Sequence, residues 1–234
     1  MLEIYEWRRE MLDKTKVIVR AFDSFAMTSP EMMSFWEKQV PLDPEKDIHG
    51  PELYAIWALK QEFVRIAISH NYYQSKWFAW CDMGIQRYSR FQDYYMTFPR
   101  DASRLCRDGR MAFLEVGRIS DECVSDWKQG KPIAHKETLA TTLGGGCIIG
   151  DSGAWHEFAY AYKAMLETYA ERGWFCGKDQ EVYFTVLMEK KTAPFRLFHC
   201  KGFGHEPIPP GIVWMSFPPM LGGTVDAVVD MRFE

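Results

Sequence analysis

The sequence lacks any long apolar run and any large excess of charge of one sign. Its 234 residues include 28 basic and 32 acidic side chains, which gives a formal net charge of −4 at pH 7. This balance does not indicate a nucleic-acid-binding surface, so we expect no nucleic-acid partner. No apolar stretch approaches the ~20 residues that span a bilayer. The N-terminus is charged throughout and has no apolar signal-peptide core. We therefore expect a protein without a transmembrane segment, in the cytoplasm.

The sequence also lacks the short motifs of common metal and nucleotide sites. It contains neither a C-x-x-C pair nor a G-x-x-x-x-G-K or G-x-G-x-x-G loop, so a zinc ribbon and a phosphate-binding loop are not predicted. The cysteines are scattered through apolar surroundings in a chain too long to need disulfides. They are Cys81, Cys106, Cys123, Cys147, Cys176 and Cys200. This distribution predicts reduced, buried thiols in a reducing compartment.

Apolar and aromatic residues are abundant, and they alternate between strand-like and helix-like segments. Apolar residues make up 47% of the chain and aromatic residues 15%, with nine Trp, so either an aromatic core or a ring-lined pocket is expected. The predicted strands are 16–22, 76–81, 111–116 and 195–200. The predicted helices are 29–39, 51–68, 151–173 and one that begins near Asp179. The pattern predicts one α/β domain over residues 1–234, with a mixed, mainly parallel sheet flanked by helices.

The segment "KWFAWC" (76–81) is apolar almost without interruption and ends at Asp82. Continuous rather than alternating apolarity is typical of a strand covered on both faces, so a central strand is predicted. In such sheets, ligands bind beyond the carboxyl ends of the strands. Asp82 is therefore a candidate site residue, although Asp and Gly also favour simple turns.

Two further features admit two interpretations each, and a third has a local explanation. Lys60 falls on the apolar stripe of the 51–68 helix, so its amine either extends to water or enters a polar site at the edge of the core. The glycine run 144–146 predicts close approach of a ligand or of another backbone, or else a flexible turn. Asp179 suits the start of a helix because of the helix dipole alone.

Three stretches of the sequence together resemble a known family. They are "PELYAIWALKQEFV…SKWFAWCDMGIQR" (51–87), "LGGGCIIGDSGAWHEFAYAYKAML" (143–166) and "GWFCGKDQEVYF" (173–184). In order and spacing they resemble the HtrL/YibB family, which is associated with surface-polysaccharide synthesis. That family is in turn similar to glycosyltransferases of the GT-A fold, the nucleotide-diphospho-sugar transferases. The resemblance covers residues 40–200. It implies a single GT-A-like domain that transfers a sugar from a UDP- or GDP-sugar to a glycan, lipid or protein hydroxyl.

The resemblance implies a divalent metal, Mn²⁺ or Mg²⁺, held by an acidic motif at the end of a central strand. Such an ion bridges the diphosphate of the donor and stabilises the negative charge that develops on it. Asp82 matches the first acid of the motif, and Gly84 stands at the position of the second. A late histidine completes the metal site in similar enzymes, and His199 or His205 is its candidate counterpart.

The resemblance also implies a donor-binding surface and a base. Its candidate residues are Lys60, Gly84, Arg87, Gly144, Gly145, Gly146 and Gln180. Lys60 and Arg87 would supply positive charge near the phosphates, and arginine is suited to forked contacts with phosphate oxygens. The glycine run would flank the donor sugar. Asp179 would begin a helix beside that sugar, and it is the candidate base if the reaction inverts stereochemistry.

Two departures from the GT-A pattern favour an alternative. A GT-A domain begins with a strand that cradles the base, whereas "LEIY" here is short and a helix-like segment follows at once. The N-terminal nucleotide-binding part is therefore expected to be abbreviated, and Gly84 replaces an acid. Both features favour a non-catalytic member that binds a sugar nucleotide or a glycan. A third possibility is a structural partner in a polysaccharide-assembly complex.

Overall fold

The structure is a computed structural model, and it describes residues 13–86, 106–117, 119, 121–131, 143–189, 195–200, 210–221 and 227–229. Two candidate site residues, Arg87 and His205, lie outside these ranges. Residues 1–12 also lie outside them. These residues include "LEIY", from which an abbreviated nucleotide-binding part was predicted.

The described residues contain both helices and strands. The α-helices are α1 (Pro30–Gln39), α2 (Pro51–Ala58), α3 (Lys60–His70), α4 (Asp121–Lys128), α5 (Ser152–Glu171), α6 (Asp179–Glu189) and α7 (Phe217–Leu221). The strands are β1 (Trp77–Cys81), β2 (Met111–Glu115), β3 (Leu143–Asp151), β4 (Phe195–Cys200) and β5 (Ala227–Val229). Short 3-10 helices occupy Phe22–Ser24, Ala26–Thr28, Val40–Leu42, Met83–Gln86 and Pro210–Met215.

The strands form one mixed sheet with the order β1-β3-β2-β4-β5. The pair β2 and β4 is parallel, and the other three pairs are antiparallel. The predicted α/β architecture with a mixed sheet is confirmed, but the prediction of a mainly parallel sheet is wrong. Because β3 runs opposite to β1 and β2, the strands β1, β2 and β4 share one direction. Their carboxyl ends therefore open at the same edge of the sheet.

The predicted central position of residues 76–81 is also wrong. Within the described residues β1 pairs only with β3, and its five residues are partly or fully exposed. The strand buried along its whole length is β2, in which Phe113 faces one core cluster and Leu114 the other. Apolar side chains on both faces of β1 do pack on the core, with Trp80 on one face and Trp77 on the other. An apolar run thus indicates that both faces of a strand are covered, whereas pairing with distant segments decides which strand lies in the middle of the sheet.

Most of the predicted helices are confirmed, and one predicted strand is not. Ser29 caps α1 by accepting a hydrogen bond from the Met32 backbone N–H at 3.3 Å. The helix predicted over 51–68 is divided at Leu59 into α2 and α3. No strand forms over 16–22, where Val19 is 64% exposed and the segment pairs with no strand of the described sheet. Its β-branched residues favour a strand only where a neighbouring strand is available.

The larger core cluster lies between the sheet and the helices α1 to α3, α5 and α6. Aromatic rings dominate it: the Phe113 ring lies 5.1–5.6 Å from the rings of Phe158, Tyr183 and Phe195. The indole of Trp155 donates a hydrogen bond to the Phe78 carbonyl at 2.9 Å and so joins α5 to β1. The expected aromatic core is confirmed. No helix in the described part of the chain is long and apolar enough to cross a bilayer.

Candidate functional site

Lys60 is the first residue of α3, and its ammonium is directed into the protein. The residue is 5% exposed, and its Nζ lies 2.8 Å from Asp179 Oδ2. It also donates a hydrogen bond to the Gly145 carbonyl at 2.9 Å and lies 3.8 Å from Asp82 Oδ1. The Trp80 ring closes the remaining side, with its centroid 5.8 Å from Nζ. The interpretation that this amine enters a polar site at the edge of the core is confirmed.

Asp179 begins α6, as predicted, and is buried with its side chain 4% exposed. Its position at the helix N-terminus and the Lys60 ammonium both stabilise its negative charge. Its Oδ2 meets no well-aligned hydrogen-bond donor among the described residues, so the contact with Lys60 is an ion pair rather than a directed hydrogen bond. Burial and the Asp179 charge raise the pKa of Tyr183 well above its ordinary value. The Tyr183 hydroxyl therefore keeps its proton, and its oxygen accepts a hydrogen bond from Gln61 Nε2 at 3.4 Å.

Asp82 follows β1 directly and presents a carboxylate that is 44% exposed. Its backbone N–H donates to the Gly146 carbonyl at 2.8 Å, which extends the pairing of β1 with β3. Its Oδ1 accepts a hydrogen bond from the Trp80 indole at 2.6 Å. Trp80 was not among the predicted site residues. The signal for it was its place two residues before Asp82 on the same strand.

Gly145 lies against the ion pair of Lys60 and Asp179. The glycine run belongs to β3, so the interpretation as a flexible turn is wrong. Side chains approach Gly145, rather than another backbone, and the approach of a ligand stays a prediction. A methyl group on Gly145 would lie 3.0 Å from Asp179 Oδ2 and 3.2 Å from Lys60 Nζ. It would also lie 3.3 Å from Gln180 Cγ. The side chains that approach this glycine closely are therefore the protein's own.

The two neighbouring glycines face other groups. A methyl group on Gly146 would lie 3.0 Å from Ile85 Cδ1 and 3.3 Å from Asp82 Oδ2. One on Gly144 would lie 3.1 Å from the Val116 side chain. Gly146 therefore makes room for Asp82, whereas Gly144 faces the neighbouring end of β2.

The structure brings most of the predicted site residues to one place, but not His199. Gly84 lies in the 3-10 turn that follows Asp82. His199 lies on β4 with its side chain exposed, and β3 and β2 separate that strand from β1. With ~4.8 Å between neighbouring strands, the backbones of β1 and β4 lie about 14 Å apart. Asp82 and His199 therefore do not meet at one metal ion.

A second polar cluster, which the sequence analysis did not single out, lies in the loop before α2. Asp43, Glu45 and His49 offer ligand atoms that all lie within 4.8 Å of one another, so they could hold a metal ion. Asp43 Oδ2 accepts hydrogen bonds from Tyr54 OH at 2.6 Å and from His49 Nδ1 at 2.9 Å. Glu45 pairs with Lys178, the residue before Asp179. The available signal was the spacing D-x-E-x-x-x-H within "DPEKDIH".

Glu181 lies in the first turn of α6, two residues after Asp179, and has a raised pKa. Burial raises the pKa of this carboxyl from 4.5 to about 8; the charges of Asp43 and Asp179 act in the same direction, and Lys178 opposes them. Its Oε2 is buried and has no hydrogen-bond partner among the described residues, although the residue as a whole is partly exposed. Glu181 therefore carries a proton at neutral pH.

Comparisons with known proteins found no match. No protein-family model matches the chain, and no curated protein or solved structure is similar enough to count as a match. The chemistry of the site is therefore inferred from its own geometry together with the sequence resemblance.

Proposed function

We propose that this protein is a GT-A-like glycosyltransferase that moves a sugar from a UDP- or GDP-sugar to a hydroxyl of a glycan, lipid or protein. One observation carries the proposal. Residues distant in the sequence, which the resemblance assigns to a single donor site, converge at one edge of the sheet. They are Lys60, Asp82, Gly145, Gly146, Asp179 and Gln180.

The carboxylates of Asp82 and Asp179 outnumber the single ammonium of Lys60, so this cluster suits a diphosphate only when a divalent ion adds positive charge. Lys60 supplies a positive charge that is held in place by Asp179 and by the Gly145 carbonyl. Asp82 lies at the solvent-exposed side of this ammonium, where it is accessible to a ligand.

A divalent ion, Mn²⁺ or Mg²⁺, bound here would stabilise the negative charge on the diphosphate leaving group. Of the described residues at this site, we expect one, Asp82, to serve as a ligand of the ion. Asp82 offers an exposed carboxylate, while Asp179 is committed to Lys60. Since such cations take six or more oxygen ligands, most of them would come from the diphosphate and from water. Metal binding at Asp82 is therefore expected only together with the nucleotide.

The geometry of Asp179 favours a positioning role over that of a base. A general base must reach the proton that it removes, whereas this carboxylate is 4% exposed and ion-paired with Lys60. We therefore assign Asp179 the role of holding Lys60 in place. The same observation favours a second candidate function, the binding of a sugar nucleotide without turnover.

Calorimetric titration of UDP and of GDP into wild type and Asp82→Asn, with Mn²⁺ and with EDTA, tests the site. We expect the variant to lose affinity at least about 10-fold in Mn²⁺, which is about 1.4 kcal/mol. In EDTA the loss should shrink, because the carboxylate acts through the cation. Asp108→Asn is the matched control, since Asp108 is an exposed aspartate paired with Lys76. Equal affinities of wild type and Asp82→Asn in Mn²⁺ would make Asp82 an ordinary turn residue.

Turnover separates the two candidate functions. Wild type is incubated with labelled UDP- and GDP-sugars, Mn²⁺ and a panel of acceptors, and released nucleotide and labelled product are measured. Labelled product that requires Lys60 and Asp82 supports the transferase. Nucleotide binding without product or hydrolysis across the panel supports the binding protein.

A further inference from the structure

Cys81 and Cys147 face each other on neighbouring strands beside the site. They are direct partners in the antiparallel pairing of β1 with β3. The next pair along the strands is joined by the hydrogen bond from the Asp82 N–H to the Gly146 carbonyl. In an antiparallel pair such bonded positions alternate with non-bonded ones, so Cys81 and Cys147 occupy a non-hydrogen-bonded position.

That position has the dimensions of a disulfide. The Cα atoms of a non-hydrogen-bonded pair lie about 4.5 Å apart, and a disulfide spans Cα separations of about 4.4 to 6.8 Å. Directly opposed residues also project their side chains from the same face of the sheet. An interaction with the Cys147 thiol lowers the pKa of the Cys81 thiol, and both cysteines are free thiols. The backbone therefore needs no large movement for a bond between them.

The two thiols differ in their exposure to solvent, and this difference gives them different roles in an oxidation. Cys147 is 3% exposed and belongs to the smaller core cluster, whereas Cys81 is partly exposed on β1. An oxidant from solution therefore meets Cys81 first. Cys147 then lies where a resolving thiol is needed. Of the other cysteines with described burial, Cys106 and Cys200 are buried in the same cluster and Cys176 in the cluster on the opposite face.

We propose that Cys81 and Cys147 are an oxidation site at which a peroxide forms a reversible cross-strand disulfide. The Cys81 sulfur attacks one peroxide oxygen, the O–O bond breaks, and Cys81 sulfenic acid and one water form. The Cys147 sulfur then attacks the Cys81 sulfur, the S–O bond breaks, and the disulfide and a second water form. Two thiols are oxidised and one hydrogen peroxide is reduced to two waters. A dithiol restores the pair by exchange.

The disulfide would fasten β1 to β3 next to Asp82 and Gly146. The inference does not depend on the proposed sugar transfer, because it rests only on the strand pairing and on the exposure of the thiols. Its test accordingly uses chemical products rather than activity.

The full chain is treated with hydrogen peroxide, excess reagent is removed, and free thiols, intact mass and a non-reduced peptide map are measured. We expect the loss of two thiols, a mass decrease of about 2 Da for two hydrogen atoms, and a linked peptide pair that contains Cys81 and Cys147. Dithiothreitol should restore the original mass. Cys147→Ser should instead gain oxygen at Cys81, and Cys81→Ser should resist this oxidation. Cys106→Ser, the matched control, should form the same disulfide as wild type.

Two results would overturn the proposal. One is a wild-type map in which Cys81 and Cys147 remain unlinked after peroxide has consumed other thiols or left all of them intact. The other is a disulfide that persists in Cys147→Ser, which would show a different pairing. If a serine variant does not fold, the wild-type map still decides, because it identifies the linked residues directly.

Discussion

Replacing Lys60 with methionine removes the ammonium from the buried cluster and keeps an unbranched side chain of similar length. Asp179 then becomes a buried carboxylate without its ion-pair partner, and the Gly145 carbonyl loses a donor. Removing one member of a buried pair typically costs 3–5 kcal/mol, because the remaining charge is left uncompensated. The α6 N-terminus still stabilises Asp179. We therefore expect the lower end, a loss of about 3 kcal/mol in the free energy of unfolding.

Urea denaturation at pH 7, followed by tryptophan fluorescence and by circular dichroism, measures this loss. Lys76→Met is the matched control, because Lys76 makes an ion pair with Asp108 in which both side chains are more than half exposed. Its expected cost is about 0–1 kcal/mol. Adding Asp179→Asn to Lys60→Met should recover part of the stability, since it removes the uncompensated charge. If Lys60→Met cost no more than the control, the ammonium would be solvated and the buried site would not exist in solution.

Two other predictions concern neighbouring groups. Gly145→Ala should lower the free energy of unfolding by about 1–3 kcal/mol, because its methyl group would meet Asp179 and Lys60 at 3.0–3.2 Å. In the same urea assay the control Gly153→Ala, in the first turn of α5, should be nearly neutral. Equal effects of the two substitutions would contradict the argument. Because the folded state raises the Glu181 pKa from 4.5 to about 8, it binds this proton more tightly than the unfolded state. This contribution to the free energy of unfolding is complete below pH 4.5 and is lost as the pH rises toward 8. The pKa shift sets an upper limit of about 5 kcal/mol on the loss. We expect about 1–2 kcal/mol, because the side chain of Glu181 can move toward water when it ionises. Glu181→Gln should remove this contribution from the pH profile of stability, and an unchanged profile would show that Glu181 ionises normally in the folded protein.

The candidate site was predictable to the extent that local rules act on single segments. An apolar strand that ends in Asp82, a helix start at Asp179 and a lysine on the apolar stripe of a helix are all visible in the order of residues. The interpretation of Lys60 could not be decided from its own helix. Its partners are contributed by β3 and α6, which lie about 85 and 120 residues further along the chain.

The cluster of Asp43, Glu45 and His49 shows the complementary limit. These residues lie within one short loop, so their spacing was available in the sequence, but nothing local distinguishes a metal-ligating loop from a proline-rich connection. Burial of Asp43 and its hydrogen bonds with Tyr54 and His49 bring these side chains together, and they depend on how α2 packs.

By itself the sequence determined the elements that apolar periodicity and capping residues specify over a few neighbouring positions. Ser29 caps α1 and Asp179 begins α6 for such local reasons. The sequence did not predict β3, and it predicted a strand over 16–22 that does not form. Only the tertiary structure decided that β1 lies at the edge of the described sheet, that β3 runs antiparallel beside it, and that Lys60 pairs with Asp179. These outcomes depend on hydrogen bonds and ion pairs between segments far apart in the chain. Their formation is governed by the packing of the whole domain rather than by local sequence preference.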